Sequence, residues 1–128
     1  YGIDTALVRY HLPIRVTTPS GEVQGMRGFS ALWFPKAEWA LVYWDDVAMV
    51  FVRREGAPAT LLEHHEYRVI RPDDLAHLER RLLEDPSLLE QAVAESIRAV
   101  EANPESDRAR HIAAALGAAE SGGGTIFP

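Results

Sequence analysis

The sequence predicts an α+β fold, with a small mixed or antiparallel sheet around a central β-hairpin and about three C-terminal helices. Apolar runs of strand-like composition fill residues 1–70, whereas residues 71–119 carry helical periodicities. The two kinds of pattern follow each other instead of alternating, which is typical of α+β rather than α/β chains. We therefore expect residues 1–128 to form a single domain, with residues 120–128 as a flexible tail.

The hairpin prediction comes from the sequence WALVYWDDVAMVFVRR at residues 39–54. Residues 39–44 and 47–52 are rich in β-branched and aromatic side chains, and only Asp45 and Asp46 separate them. Two such runs joined by two turn-forming residues are typical of a tight hairpin. We interpret the two aspartates as turn residues, because neighbouring carboxylates in a short turn diverge and define no third metal ligand.

Both strands of the hairpin are apolar on both faces, so we expect their sheet to be central or covered on both sides. With strict alternation, Trp39, Leu41 and Tyr43 point to one face, and Val42 and Trp44 point to the other. Helices from the second half of the chain are expected to supply the covering layer.

Additional strands are predicted at residues 5–10, 14–17, 29–34 and 67–70. Glycines and a Pro-Ser-Gly turn predict irregular backbone between the second and third of these strands. Residues 60–66 are expected to form one helical turn or more.

Three longer helices are predicted at residues 73–83, 86–101 and 105–119. Asp73 suits an N-cap position, and Pro86 suits a first helical turn. The apolar positions expected to face inward recur at helical spacing, and they are Leu75, Leu78, Leu82, Leu89, Val93, Ile97, Val100, Ala109, Ile112, Ala113 and Leu116.

Part of the second and third helices resembles the tetratricopeptide (TPR) pattern. Small Ala92 and Ala99, followed by a proline, have the spacing of the second helix of such a repeat, and Ala114 suits the next repeat. Ser96 and Gly117 depart from the pattern at positions where larger side chains are usual, and only one repeat-like unit is visible. A TPR-like pair of helices is therefore one interpretation of this region.

Composition and motifs argue against several classes of function. The net charge of −6 disfavours a nucleic-acid partner, because phosphate backbones require a basic surface. The absence of cysteine excludes disulfides, thiolate metal sites and cysteine nucleophiles. No nucleophile elbow or phosphate loop is visible, and the adjacent His64 and His65 do not share a helix face. We therefore predict a non-enzyme with no catalytic residue, no metal site and no cofactor.

Aromatic residues supply the candidate binding residues. Trp33 and Trp39 flank residues 35–38 and are the tryptophans that we expect to be partly exposed. Sugar rings stack on exposed indoles, so a carbohydrate platform is one interpretation of these residues. Placement in the core, where large aromatic side chains contribute most of the buried surface, is the alternative.

Two segments carry a family resemblance: YGIDTALV at residues 1–8 and the hairpin sequence at residues 39–54. The matching residues are Tyr1, Gly2, Ile3, Asp4, Trp39, Leu41, Val42, Tyr43, Asp45, Asp46, Val50, Val52 and Arg53. They resemble the soluble C-terminal region of large bacterial multi-pass membrane proteins that look like glycosyltransferases of the dolichyl-phosphate-mannose mannosyltransferase type. The resemblance covers about half of the chain, and the insert at residues 9–36 departs from the short connection usual in that family.

The resemblance implies a non-catalytic, soluble accessory domain of a larger membrane protein, on the extracytoplasmic face of the membrane. Attachment to the membrane would run only through an upstream region, and the implied partner is a protein, an acceptor or a glycan. Because the chain begins at Tyr1 without methionine, we expect it to be a piece of a longer or processed protein. The alternative is a cytoplasmic TPR-like scaffold for protein–protein interaction.

Overall fold

The computed structural model describes residues 4–122 and 126–127, and it has the α+β order that the sequence predicts. The strands are β1 (Thr5–Arg9), β2 (Ile14–Thr17), β3 (Val23–Arg27), β4 (Trp39–Trp44) and β5 (Ala48–Arg53). The helices are α1 (Phe29–Trp33), α2 (Ala59–His65), α3 (Leu75–Glu84), α4 (Leu88–Ala102) and α5 (Asp107–Glu120). Strands β1, β5 and β4 form an antiparallel sheet in that order, and β2 and β3 form a separate two-stranded sheet. The predicted hairpin is therefore β4–β5, with β5 as the central strand.

Strand β3 forms where the glycines predict irregular backbone, so that prediction is wrong. It pairs antiparallel with β2, and the register shifts between Val16 and Thr17. Gly25 pairs with Val16 and adopts a φ of +148°, a conformation that glycine tolerates and that other residues rarely adopt. The glycine therefore permits an irregular strand instead of preventing one.

A β-bulge in β4 changes which side chains face the core. Leu41 pairs with Phe51, whereas Tyr43 pairs with the preceding residue of β5, so Val42 is an extra residue in the ladder. Beyond the bulge, Trp44 lies on the same face as Leu41, and both side chains are fully buried. The strict alternation expected from the sequence is therefore wrong for Trp44.

The opposite face of this sheet is only partly covered. Ala40 and Val52 are buried there, close to α2, which packs near β4. On the same face, Leu7 is 74% exposed and Tyr43 is 38% exposed. The expected covering of both faces is therefore wrong for this part of the sheet, because buried residues of α3, α4 and α5 pack with the other face.

The core lies between that other face and the helices. Its largest fully buried apolar side chains are Trp44, Phe51, Leu41, Met49, Ile70, Ile112 and Leu116. Helices α4 and α5 pack along each other, and Ala92, Ala99 and Ala109 have no exposed surface at all. Ile97 is 50% exposed, so its predicted inward position is wrong. The small residues permit close approach of the two helices, and the face of α4 that carries them is the one that turns inward.

Two further predicted strands are wrong. Residues 29–33 belong to helix α1, and residues 67–70 form no strand. In both places, side-chain carboxylates far along the chain accept hydrogen bonds from the backbone N–H groups that a sheet ladder would use.

The end of the chain is anchored where the structure describes it. The backbone N–H groups of Ile126 and Phe127 donate to Glu79 Oε2 at 2.7 and 3.1 Å, and both side chains pack against the core. The flexible tail predicted for residues 120–128 is therefore wrong at these two residues and at Glu120, which belongs to α5. Residues 123–125 and 128 lie outside the described residues.

Candidate ligand-binding cleft

Residues 66–74, here called the bridging segment, connect α2 to α3 and lie against α4. The buried carboxylate of Glu95 on α4 accepts the backbone N–H groups of three consecutive residues, Arg68, Val69 and Ile70. The N···O distances are 3.0 to 3.1 Å. A side chain on a rigid helix therefore replaces a neighbouring strand as the acceptor for this backbone.

Arg71 connects the bridging segment to α1 and β4. Its guanidinium is almost entirely buried and donates to the carbonyl oxygens of Ser30, Phe34 and Trp39 at 3.3, 2.8 and 3.3 Å. Burial lowers the pKa of Arg71 to about 10, so the group remains cationic at neutral pH. The charge sits 4.8 Å above the centre of the Phe51 ring, which also favours a cation.

Asp73 and Asp74 determine how α1 begins. Asp73 accepts the N–H of Ser30 at 2.8 Å and its hydroxyl at 2.7 Å, and Asp74 accepts the N–H of Gly28 at 2.7 Å. These carboxylates therefore bind amides of another helix instead of capping α3, the role predicted for Asp73. Gly28 is required for this approach, because a Cβ there would lie 2.3 Å from the carbonyl oxygen of Asp73.

These contacts leave an open cleft of about 310 Å³ between α1, α3 and the bridging segment. Its lining residues are Arg27, Ala31, Pro35, Lys36, Val69, Arg71, Asp74, His77, Leu78 and Arg81. His77 and Arg81 lie one helical turn apart on α3, so both side chains reach the same side of that helix. The sequence therefore brings three separate regions of the chain together at this cleft.

The cleft is cationic although the chain carries a net charge of −6. Four of its lining side chains are arginine or lysine, and Asp74 is the carboxylate among them. Both oxygens of Asp74 are already engaged, one by the N–H of Gly28 and the other by Arg27 at 3.0 Å. The carboxylate therefore offsets Arg27, and within the described residues no carboxylate forms an ion pair with Lys36, Arg71 or Arg81.

Lys36 lines the cleft beside the bridging segment. Its Nζ donates to the carbonyl oxygens of Arg68 and Val69 at 2.9 and 3.4 Å, which leaves one of its three protons for another acceptor. Burial, with the like charges of Arg81 and Arg71 nearby, lowers the pKa of Lys36 to about 8. The amine is therefore mostly protonated at pH 7 but easily deprotonated above it.

Arg81 and His77 complete the cationic side of the cleft. Within residues 4–122 and 126–127, neither side chain makes a hydrogen bond or an ion pair. Burial, and then the charge of Arg27, lowers the pKa of His77, so its imidazole is mostly neutral at pH 7. The guanidinium of Arg81 therefore presents its five donors to the cleft without an internal acceptor.

The structure separates the two tryptophans that the sequence analysis selects as binding residues. Trp33 is 64% exposed at the end of α1 and is not among the residues that line the cleft. Trp39 is only 7% exposed, so its expected exposure is wrong. Its ring packs edge-on against Phe34 at 5.0 Å and lies under the guanidinium of Arg53 at 4.6 Å. The two indoles therefore cannot form one exposed platform.

Asp45 and Asp46 act in the hairpin turn and beyond it. Asp45 accepts the N–H groups of Val47 and Ala48 at 2.8 and 2.9 Å, which is the turn chemistry predicted for it. Asp46 instead accepts the hydroxyl of Ser106 and the N–H of Arg108 at the start of α5. Within the described residues, no group of three or more potential metal ligands comes together.

Sequence reasoning missed the cleft. A partial signal was available in the one-turn spacing of His77 and Arg81, but nothing in the local sequence associates Lys36 with them. Comparisons with known protein families, with curated proteins and with solved structures find no match to this chain. None of the helices in the described ranges combines the length and the apolar character that crossing a bilayer requires.

Proposed function

We propose that this chain is a non-catalytic accessory domain that binds the charged group of a ligand or partner in the cleft between α1 and α3. The observation that carries this proposal is the unsatisfied charge of the cleft. Arg81 and one proton of Lys36 have no acceptor within the described residues, whereas Arg27 has Asp74. Buried or half-buried cations without acceptors favour the binding of an external one.

The polar groups around the cleft favour binding over catalysis. Asp74 pairs with Arg27 and accepts the N–H of Gly28, and both contacts favour its charged form and hold it in a structural role. The hydroxyl of Ser30 donates to Asp73 and accepts from Arg71, and this serine is fully buried. The groups that remain available are the side chains of Lys36 and Arg81, which attract an anion, and the imidazole of His77, which can donate a hydrogen bond to it.

An NMR titration of the ¹⁵N-labelled chain tests this proposal. The probes are inorganic phosphate, acetate, an acidic peptide and a neutral trisaccharide, added separately at constant ionic strength. We expect at least one probe to shift the amide signals of Ala31, Val69 and His77, and Arg81→Gln to weaken that response. Arg80→Gln is the matched control, because Arg80 is exposed on the same helix and does not line this cleft. A cleft that responds to none of the three charged probes would contradict the proposal, and so would a response to the neutral trisaccharide alone.

The exposed face of Trp33 supports a glycan as a second class of partner at the end of α1. Its indole is 64% exposed on α1, where a sugar ring has room to stack. We expect an oligosaccharide to quench the fluorescence of the chain and Trp33→Phe to remove that response. Quenching that persists in Trp33→Phe would rule this contact out, because Trp39 and Trp44 are buried.

We further propose that the domain belongs to a larger, membrane-anchored, glycosyltransferase-like protein and lies on the extracytoplasmic face of the membrane. The support for this context is the resemblance at residues 1–8 and 39–54. Residues 1–3 lie outside the described residues, and the carbonyl oxygen of Asp4 accepts the N–H of Arg53 beside the hairpin.

Membrane topology tests that context. The gene is sequenced upstream of the Tyr1 codon, and a compartment-sensitive reporter is fused after Pro128 in the full-length protein. Several apolar spans upstream, with an extracytoplasmic reporter, are the expected result. A soluble upstream region with a cytoplasmic reporter would favour the TPR-like scaffold instead, for which the close packing of α4 and α5 through Ala92 and Ala99 is the supporting observation.

A further inference from the structure

We infer that the group recognised by the cleft is a phosphate dianion carried by a small molecule, with Arg81 and Lys36 as its direct ligands and His77 as an additional donor. This inference rests on the proposed function, because it names the chemistry of the ligand bound at the same site. It goes beyond that proposal by selecting phosphate over carboxylates, acidic peptides and neutral glycans.

The charge of the cleft favours a dianion. After Arg27 is paired with Asp74 at 3.0 Å, Lys36, Arg71 and Arg81 remain as cations around the space. A carboxylate would neutralise one of them, whereas a phosphate monoester carries about −1.5 to −2 charges at pH 7 and offers three acceptor oxygens. The planar guanidinium of Arg81 suits two such oxygens at once, which is the usual geometry of arginine with phosphate.

The size and lining of the cleft favour a small phosphorylated molecule. Its volume of about 310 Å³ is that of a small-molecule pocket. Apolar atoms of Ala31, Pro35, Val69 and Leu78 line the space beside the cations. A ligand that fills it therefore combines one strongly charged group with a compact, partly apolar remainder.

Lys36 and the backbone around the cleft are held in place by contacts within the protein. Lys36 is held by two backbone carbonyls of the bridging segment, and Glu95 in turn holds the backbone of that segment on α4. Arg81 projects from α3, which is ten residues long. Binding therefore has to order the side chain of Arg81, whereas Lys36 and the backbone around the cleft are already fixed, which limits the entropic cost.

Like charges in the empty cleft provide a second driving force. Lys36 is surrounded by Arg81 from α3 and by Arg71 from the bridging segment, while Glu95 from α4 and Asp74 act in the opposite direction. Burial and the two arginines hold the pKa of Lys36 at about 8. A bound anion stabilises the protonated amine, so affinity should fall as the pH rises through 8 and Lys36 loses its proton.

Isothermal titration calorimetry with phenyl phosphate and benzoate tests the inference at constant ionic strength, which keeps screening equal for both ligands. The two probes share an aromatic ring and differ in their charged group. We expect phenyl phosphate to bind the intact chain at least tenfold more tightly than benzoate, and Arg81→Gln and Lys36→Met each to weaken it at least tenfold. Arg80→Gln, the matched control on α3, should change the affinity less than twofold.

Two results would overturn the inference. Equal affinity for phenyl phosphate and benzoate would show that the cleft does not select a dianion. An Arg81→Gln variant that binds phenyl phosphate as the unmodified chain does would place the ligand elsewhere. If phenyl phosphate fails while acetate or the acidic peptide still shifts the cleft amides, the phosphate inference falls and the proposed function stands. If every probe fails, both fall.

The same phosphate chemistry occurs in free metabolites and in lipid headgroups, and vesicles separate the two sources. Sedimentation is measured with neutral phosphatidylcholine vesicles and with vesicles that also contain phosphatidic acid. Binding of phenyl phosphate without vesicle binding assigns the site to a soluble ligand. Vesicle binding that requires phosphatidic acid and is lost in Arg81→Gln assigns it to a headgroup.

Discussion

The two sides of the bridging segment use charge in opposite ways. Towards α2 and α4, Glu66 and Glu95 are buried, and each of their oxygens accepts at least one hydrogen bond from an arginine or from the backbone. Towards α1 and α3, Lys36, Arg81 and His77 surround open space, and the last two have no partner within the described residues. On the first side, the buried charges have partners within the protein, whereas on the second side they have donors left for an external anion.

This difference separates structural charge from charge that is available for binding. A buried carboxylate with all its oxygens engaged holds the fold, and its removal leaves donors unsatisfied. A cation without an acceptor contributes nothing comparable to folding and, beside like charges, opposes it. Variants on the two sides should therefore change stability by different amounts and, in part, in different directions.

The largest effect is expected at Glu95. Glu95→Ala removes the acceptor of three backbone N–H groups in the bridging segment and should lower the free energy of unfolding by about 3 kcal/mol or more. Glu95→Gln, the matched control, retains one side-chain oxygen as an acceptor, and its free energy of unfolding should fall by less. Urea denaturation followed by circular dichroism measures both, and a loss below about 1 kcal/mol for Glu95→Ala would mean that water replaces the carboxylate.

The next effect concerns the junction between α1 and the bridging segment. Gly28→Ala would place a Cβ 2.3 Å from the carbonyl oxygen of Asp73, and we expect a loss of about 2 to 3 kcal/mol. Gly117→Ala on α5 is the control, since no atom lies within 4 Å of its added Cβ. Alanine in a helix is favoured over glycine by about 1 kcal/mol, so the control should stabilise the chain in the same denaturation experiment.

A smaller effect on stability is expected at Asp46 in the hairpin turn, whose carboxylate is exposed but accepts hydrogen bonds from the start of α5. Hydrogen bonds from the N–H of Arg108 and the hydroxyl of Ser106 lower the pKa of Asp46 below its ordinary 3.8. Its stabilising contribution is therefore present above that pH and is lost as the pH falls through the lowered pKa. Asp46→Asn should lower Tm at pH 7 and show less acid sensitivity between pH 5 and pH 2.5. Glu105→Gln, nearby and exposed, should leave both properties unchanged.

On the cleft side, Lys36 should make stability increase with pH. The pKa of Lys36 is about 8 in the folded chain, whereas its ordinary value of 10.5 applies to the unfolded chain. Between these pH values, the unfolded chain therefore binds more protons than the folded chain. The free energy of unfolding of the unmodified chain should therefore rise relative to that of Lys36→Met between pH 8 and pH 10. Parallel pH profiles for the two chains would contradict the burial of this amine. The comparison cancels the opposing effect of Tyr10, whose pKa is raised by burial.

The smallest effect on stability is expected at Arg81. Arg81→Gln removes a like charge beside Lys36 and breaks no hydrogen bond of the described chain, so Tm should stay the same or rise slightly. The free energy of unfolding should change by less than about 0.5 kcal/mol. A clear destabilisation, larger than that of Arg80→Gln, would show that Arg81 stabilises the fold instead of being available for a ligand.

Local sequence patterns were sufficient for the hairpin and for the helices that follow it. The β4–β5 hairpin and helices α2 to α5 follow from apolar periodicity and turn residues, because both act over a few residues. The buried positions Leu78, Leu82, Ile112 and Leu116 were predictable for the same reason. The bulge at Val42 was not, since an extra residue in a ladder depends on the partner strand.

Residues 29–34 and 67–70 show what local patterns cannot decide. Both are short and apolar enough to form strands, yet the groups that bind their N–H donors lie 43 and 25 residues away, in Asp73 and Glu95. Which acceptor satisfies a backbone donor is a property of the folded chain. The two predictions were wrong because the competing acceptors were invisible in the local sequence.

The sequence by itself determined the central hairpin and the longer helices that follow it, the acidic net charge and the absence of cysteine chemistry, since these depend on composition and on neighbours along the chain. Only the tertiary structure decided that Trp39 is buried and Trp33 exposed, and that Lys36, His77 and Arg81 share one cleft. Electrostatic effects and burial act through space, so a cationic site within an acidic chain becomes visible only when distant segments are brought together.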